Sequence, residues 1–453
     1  EKLSFRVPSA ARADEGHPRP DADDAAPGSR RVGVWRVASA TVASGRMLRL
    51  GVGRLLRRAW PRPRSAFAAR YLATAENADQ AADAARYQAS MKINADMTKI
   101  WSNAKILTLF ETNDFTAANT STALHRLARI RKLKPVAISL HWRKADVRLE
   151  HLTQYATDNI HDFDARGLAN SAWAVAKLGD IQASWNLLAA VAEAAPPLMW
   201  RFTAKELSMM TWGFATAGFP APELFEVIAK EARKTIVYYN PQDIANMTWA
   251  FATAGVSAPR LFESFAKEAI PKLGNFCGKD LSNVAWAYAT AGETAPALFE
   301  AIGKVSAEKM SFFEPTEMST ITWAYAKAGF PAPRLFDAVA AVAPEKMNAF
   351  DPQSLADIVW AFAKAGVSAP VLFWEVAAEA PKQIGRFTAP ALANIVWAYA
   401  TAGVEAPALF EAVAAESSKK IATFSPQGLA MTLSAYETAG VEAPALFEAI
   451  TRE

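Results

Sequence analysis

Cysteine is nearly absent. One residue, Cys277, among 453 excludes a disulfide framework and any zinc module built on cysteines. Histidine is scarce too, with five in the chain. His141, His151 and His161 stand ten apart, which is not a ligand spacing on one helix, so no metal site is expected. No uninterrupted apolar run reaches the ~18–20 residues that a membrane-crossing helix needs, so membrane insertion is not expected. There is no Gly-rich phosphate loop with its lysine, no His-Arg-Asp catalytic loop, and no Ser/His/Asp set or paired carboxylate tied to a pocket. No catalysis and no cofactor follow from these residues. What is plentiful is apolar material: 51% of the chain is hydrophobic, ample for a core and too much for wholesale disorder.

Charge is unevenly placed. Residues 1–72 hold 15 basic against 6 acidic side chains, and residues 73–150 hold 12 against 8. Residues 151–453 reverse the balance with 22 against 31, so the formal +4 of the chain belongs to its front. Between Ala25 and Ala75 there is no Asp or Glu, yet there are eleven arginines. Met47-Leu-Arg-Leu-Gly-Val-Gly-Arg-Leu-Leu-Arg-Arg places Arg on one side of a helix and Leu on the other. That is the pattern of an organelle transit peptide, and Arg70-Tyr-Leu-Ala73-Thr matches a mitochondrial processing site with the mature chain starting near Ala73. The mitochondrial matrix is the expected compartment, with a plastid as the alternative. Three segments follow: 1–72 as transit peptide and disordered extension, 73–150 as a helical segment with a degenerate first repeat, and 151–453 as the repeat array.

Self-comparison finds the array. Trp212, Trp249, Trp286, Trp323, Trp360 and Trp397 are spaced by 37, with Ser434 in the next place. Gly218 through Gly440 and Pro222 through Pro444 keep the same beat, and weaker copies surround Trp173 and Leu124. Each unit reads as two helices. In residues 240–276, Asn240 is an N-cap and Pro241 occupies the first helical turn, where its missing N–H costs nothing. Helix A then runs to Gly255, which supplies a left-handed C-cap, and a short turn leads into an amphipathic helix B. Thr203, Asn240, Cys277, Glu314, Asp351, Thr388 and Ser425 share the capping place, where Cys277 reads as a tolerated substitution. One such hairpin cannot bury its own faces, and stacked copies can. The expectation is an all-α, right-handed α-solenoid of about nine two-helix repeats with a 37-residue period. The tryptophans, set in a helix that is apolar nearly all round, read as buried core residues beyond the reach of a base.

The runs Leu-Ser-Asn-Val-Ala-Trp286-Ala-Tyr-Ala, Leu-Ala-Asn-Ile-Val-Trp397-Ala-Tyr-Ala and Leu-Ala-Asn-Ser-Ala-Trp173-Ala-Val-Ala-Lys-Leu-Gly carry a resemblance. Together with Asn119-Thr-Ser-Thr-Ala-Leu-His-Arg-Leu-Ala, they resemble the organellar helical-repeat proteins. These are the octotricopeptide and heptatricopeptide repeats, the FAST-kinase-like leucine-rich proteins and the repeats of the RNA-editing substrate-binding complex. The resemblance covers roughly residues 105–453 and implies organellar RNA binding in transcript stability, processing, editing or translation. Many such proteins end in a RAP domain, and this sequence ends at Glu453 within the last helix B, without one.

Candidate contacts follow from helix A. Three residues before each Trp stand Met209, Asn246, Asn283, Thr320, Asp357, Asn394 and Met431. Seven residues further on the same face stand Thr216, Thr253, Thr290, Lys327, Lys364, Thr401 and Thr438. Asn246, Asn283, Thr320, Asp357 and Asn394, with Lys327 and Lys364, suit base reading by successive repeats, and equally suit a merely solvated face. Lys272, Lys309, Lys346 and Lys420 form either a phosphate row or a set of helix C-terminal cations. Arg126, Arg129, Arg131, Lys132, Lys134, Arg143, Lys144 and Arg148 make the strongest basic cluster. The expected partner is single-stranded organellar RNA, bound without catalysis in mitochondrial RNA processing, stability, editing or translation. The alternative, favoured by the acidic array and the missing RAP domain, is a scaffold or subunit of a mitoribosome or other ribonucleoprotein complex.

Overall fold

The computed structural model describes the backbone of residues 66–133, 146–179 and 182–452, and the side chains of 80–130, 146–179 and 183–452. The Arg-rich stretch up to residue 65 lies outside the described residues, while the expected processing site near Ala73 falls within a described helix, Ala66–Lys99. Two compact units divide between Ala89 and Ser90. The second unit, Ser90–Glu453, holds the repeats.

Nine helix pairs follow one another there. The A helices are Ala117–Leu133, Ala165–Leu178, Ala204–Ala217, Pro241–Ala254, Gly278–Ala291, Pro315–Ala328, Pro352–Ala365, Ala389–Ala402 and Pro426–Ala439. The B helices are Val147–Asp158, Gln182–Ala194, Pro222–Lys234, Pro259–Ala269, Pro296–Lys309, Pro333–Val342, Pro370–Glu379, Pro407–Lys419 and Pro444–Arg452. No strand occurs among the described residues. Each A helix packs on the A helix before and after it, and the B helices stack in a second layer with short 3₁₀ segments between them. This is the all-α solenoid that the 37-residue period predicts.

The local chemistry that starts and stops each helix is as the repeat implies. Thr203 and Glu206 form a capping box, and Asn240, Asp351, Thr388 and Ser425 each accept the backbone N–H three residues on. Cys277 does not cap: its Sγ donates to Asp280 Oδ2 at 3.1 Å, and burial pushes the thiol up, away from a reactive thiolate. From Gly218 to Gly440 the C-cap glycines lie at φ 64–70°, the left-handed region where a side chain strains the backbone.

Two ties run between units. Tyr288, Tyr325, Tyr399 and Tyr436, two residues after the Trp place, are buried. Each donates its hydroxyl to a B-helix carbonyl 26 residues back, at Phe262, Phe299, Phe373 and Phe410, over 2.5–2.7 Å. The in-register lysines make the second tie. Lys309 Nζ donates to the carbonyls of Gly274 and Phe276 at 2.6 and 3.0 Å, and Lys346 does so to Ser311 and Phe313, both at 2.8 Å. Lys272 and Lys420 repeat the pattern, and Gln383 replaces it with one bond to Phe350 O at 3.0 Å. The lysine row therefore holds the preceding repeat's carbonyls.

Candidate nucleic-acid interface

Burial along an A helix is periodic, and one ridge of it faces out. Counting from the Trp place, positions −7, −3, 0 and +4 lie within about 60° of one another around a helix of 3.6 residues per turn. In the Trp249 unit these are Gln242, Asn246, Trp249 and Thr253; the two central residues are half-buried and the outer two exposed or nearly so. The tryptophans are thus not core residues. All six in the 37-residue register are half-buried on this ridge. The completely buried aromatics are their neighbours at +2: Tyr288, Tyr325, Tyr399 and Tyr436, with Phe214, Phe251 and Phe362. The spacing of Asn246, Trp249 and Thr253 already put the ring on the polar face; the apolar composition of the helix obscured it.

The tryptophans form a ladder. Ring centroids lie 6.3 Å apart for Trp212 and Trp249, 6.5 Å for Trp249 and Trp286, 6.2 Å for Trp323 and Trp360, and 6.1 Å for Trp360 and Trp397. Planes tilt by 27–35° between neighbours. Two cations sit on the rings: Lys177 Nζ lies 4.3 Å from the Trp212 centroid, and Lys327 Nζ lies 4.9 Å from that of Trp323.

The first unit takes a corrected register. His125, not Leu124, packs against Trp173, with ring centroids 4.9 Å apart and planes tilted by 39°, while Leu124 is fully buried. Shifting by one places Thr122 at −3 and exposed Arg129 at +4, and it turns Arg126 to +1, where later units have Ala or, in the Trp212 unit, Gly213. Arg126 is accordingly buried, with Nη2 donating to Ile100 O at 2.6 Å and its guanidinium 4.8 Å from the Trp101 ring. It braces the end of the array. Arg148 is likewise engaged, with Asp146 and Glu111. Of the remaining basic cluster, the side chains of Arg131, Lys132, Lys134, Arg143 and Lys144 lie outside the described residues.

The polar places divide as follows. Asn246, Asn283, Thr320, Asp357 and Asn394 are half-buried at −3; Lys327 and Lys364 are exposed at +4. Thr320 Oγ1 is turned back to Thr316 O at 2.6 Å. Asp357 accepts from Gln353 Nε2 at 2.8 Å, yet burial pushes its carboxyl up to about 7.

Charge is uneven around the A helices. Across all nine A helices, the described ridge positions carry seven cations: Arg129, Arg166, Lys177, Lys205, Lys279, Lys327 and Lys364. They carry one carboxylate, Asp357. Asp243 and Glu317, one position off the ridge, sit close enough to Lys205 and Lys279 to feel their charge. At the first end, burial and then Arg129, Arg126, Arg166 and Lys205 lower His125 to about 4. Acids border the ridge one place along, at Glu206, Asp243, Asp280 and Glu317, and Glu226, Glu263, Glu300, Asp337, Glu411 and Glu448 occupy one exposed place on six of the B helices. Within a net negative array, the ridge places themselves thus combine aromatic rings with an excess of cations.

The family model for the RNA-editing substrate-binding complex 6 protein matches residues 184–333 and again 327–453. Together the two matches span more than half of the chain. The chain belongs to the RNA-editing substrate-binding complex 6 protein family. Of the groups that the repeat motif resembles, this is the one the match supports. The matched region takes in the six regular tryptophans, from Trp212 to Trp397. No described helix is long and apolar enough to cross a membrane.

Proposed function

We propose that this protein is a non-catalytic RNA-binding subunit of a mitochondrial RNA-editing assembly, and that its A-helix ridge holds single-stranded RNA. The observation that carries the proposal is the coincidence, on one face, of the tryptophan ladder with seven of the array's cations. Phosphates supply the charge that this face complements, and unpaired bases supply flat surfaces that stack on aromatic rings without sequence preference. Asn246, Asn283 and Asn394 add hydrogen-bonding groups beside the rings, where base edges pass. The family's name, a substrate-binding complex for RNA editing, agrees with this reading.

The test is fluorescence anisotropy with a labelled 20-nucleotide single-stranded RNA. The double variant Lys327→Glu/Lys364→Glu should bind at least tenfold more weakly at low salt and remain folded. Unchanged affinity would contradict the ridge as the RNA face.

A scaffold role sits beside it on the other face. Val371 and Trp374 are 61% and 70% exposed on one B helix, and Trp374 replaces the acid found at this place in the six other regular units. Such an apolar anchor between Asp337 and Glu411 suits a protein neighbour in the same assembly.

A further inference from the structure

One place in the array breaks the pattern of its neighbours. The residue after the C-cap glycine is apolar and half-buried in six of the seven regular units: Phe219, Val256, Phe330, Val367, Val404 and Val441. In the remaining unit it is Glu293, half-buried as well. Phe330 shows what the place is for. It packs on Phe299 at 5.6 Å and on Tyr325 at 6.2 Å. The residues 37 positions before these two, Phe262 and Tyr288, have the glutamate beside them instead. The backbone of the motif is kept, since Glu293 still returns its N–H to Tyr288 O at 3.0 Å. Only the side chain departs from the repeat.

A recess of about 200 Å³ opens here between the helices Pro259–Ala269 and Pro296–Lys309. Pro259, Ala266, Ile270, Pro296 and Ala297 form its solvent-facing apolar walls, with Phe262 and Tyr288 buried beneath them. Three of its residues are charged: Glu263, Lys267 and Glu293. Glu263 and Lys267 satisfy each other at 2.6 Å. Glu293 is left over. Among the described residues no ion pair or hydrogen bond reaches its carboxylate, and burial alone pushes that carboxyl up. A carboxylate held against apolar walls without a counter-ion is a cost that a cation from outside would remove.

We infer that this recess takes one arginine side chain of a partner protein, with its methylene stem against Ala266, Ile270 and Pro296 and its guanidinium on Glu293. The recess holds one carboxylate in excess, which calls for one cation. Its apolar walls call for a cation on an apolar stem, which an inorganic ion lacks. Arginine suits it better than lysine. A guanidinium is more weakly hydrated than an ammonium, and its planar fork matches a carboxylate with two parallel hydrogen bonds. The volume lies below the ~300 Å³ at which small-molecule sites begin, so it fits one side chain and not a cofactor. The inference rests on the reading of this chain as a subunit of an assembly and stands apart from the RNA ridge.

The experiment uses a phage-displayed library of random peptides, depleted on Glu293→Val and then selected on the wild-type protein. Glu293→Val restores the residue of the other units, and Glu293→Gln keeps the volume without the charge. Enriched peptides should carry an arginine. Measured by anisotropy, they should bind both variants about tenfold more weakly than wild type, and should weaken as much when that arginine is replaced by alanine. Failure to enrich any peptide, enrichment of peptides without arginine, or equal affinity for Glu293→Gln and wild type overturns the recess. A thermal melt accompanies it. Both variants should melt at or above wild type, because the carboxylate has no partner in the free protein. A lower melting temperature for Glu293→Gln would reveal a partner within the chain, such as Lys267, and would also overturn the inference. The labelled 20-nucleotide RNA, tested on the same preparations, separates the two readings. If wild type binds the arginine peptides and not the RNA, the ridge falls and the recess stands; if it binds the RNA and no such peptide, the recess falls and the ridge stands.

Discussion

Asp357 is the single carboxylate on a ridge whose equivalent places carry Asn or Thr, flanked by Met at the ends. Its folded pKa near 7 lies above its unfolded value near 3.8, so the folded state holds a proton that the unfolded state gives up. The stability this confers is complete below pH ~4 and is lost as pH rises to about 7. Asp357→Asn, which restores the usual ridge residue, should gain stability over wild type across that window. With the site partly solvated, the plateau above pH 7 should be about 1–3 kcal/mol, read by urea denaturation at pH 4 and pH 8. RNA affinity should follow: higher in the variant at pH 8, equal at pH 5. At the same scale, Trp286→Ala should cost about 1–3 kcal/mol of stability, below the ~3–5 of a fully buried aromatic, because the ring is half-buried. It should also weaken RNA binding about tenfold, the worth of one stacking platform. A folded variant with wild-type affinity would show that the ladder does not hold RNA.

Between helices, the ties that matter run from one repeat to the next. Lys309→Gln imitates Gln383, which keeps one carbonyl bond where Lys309 keeps two. It should lower stability by about 0.5–1.5 kcal/mol and leave RNA affinity unchanged, measured by thermal melt and anisotropy on one preparation. A drop in RNA affinity would return the lysines to a phosphate row. Close helix approach is equally local. A Cβ on Gly213 would lie 2.7 Å from the backbone of Ala172, so Gly213→Ala should destabilise the junction of those two A helices where Ala at the same place elsewhere is accommodated. Helix pairs, caps and period were readable from the sequence because each rests on short-range chemistry: Asn240 before Pro241, Gly255 in the left-handed region, a Trp every 37 residues. What a lysine reaches was not, since Lys309 bonds residues 33 and 35 positions back, and only the stacked repeat brings them together. The first ridge position misled by one residue for a similar reason: Leu124 and His125 are adjacent, and packing against Trp173 decides between them. Arg126 looked like part of a basic patch because sequence shows charge without showing that its helix face is turned inward.

Over the whole array, net charge is a poor guide to partner, since the described ridge places carry seven cations and one carboxylate within a net acidic array. The ridge cations should appear in the salt dependence of RNA binding, where each neutralised phosphate of a single strand adds ~0.7 to the logarithmic slope. Lys327→Glu/Lys364→Glu should therefore flatten the slope by at least ~1.4, while Trp374→Glu, on the B layer, should leave it as it is. The most direct measurement is a crosslink map: protein bound to photoreactive single-stranded RNA, digested, with adducts located by mass spectrometry. An RNA-holding ridge predicts adducts on the A helices, at or beside Trp249, Trp286, Trp323, Trp360 and Trp397. Adducts confined to the B helices would contradict it.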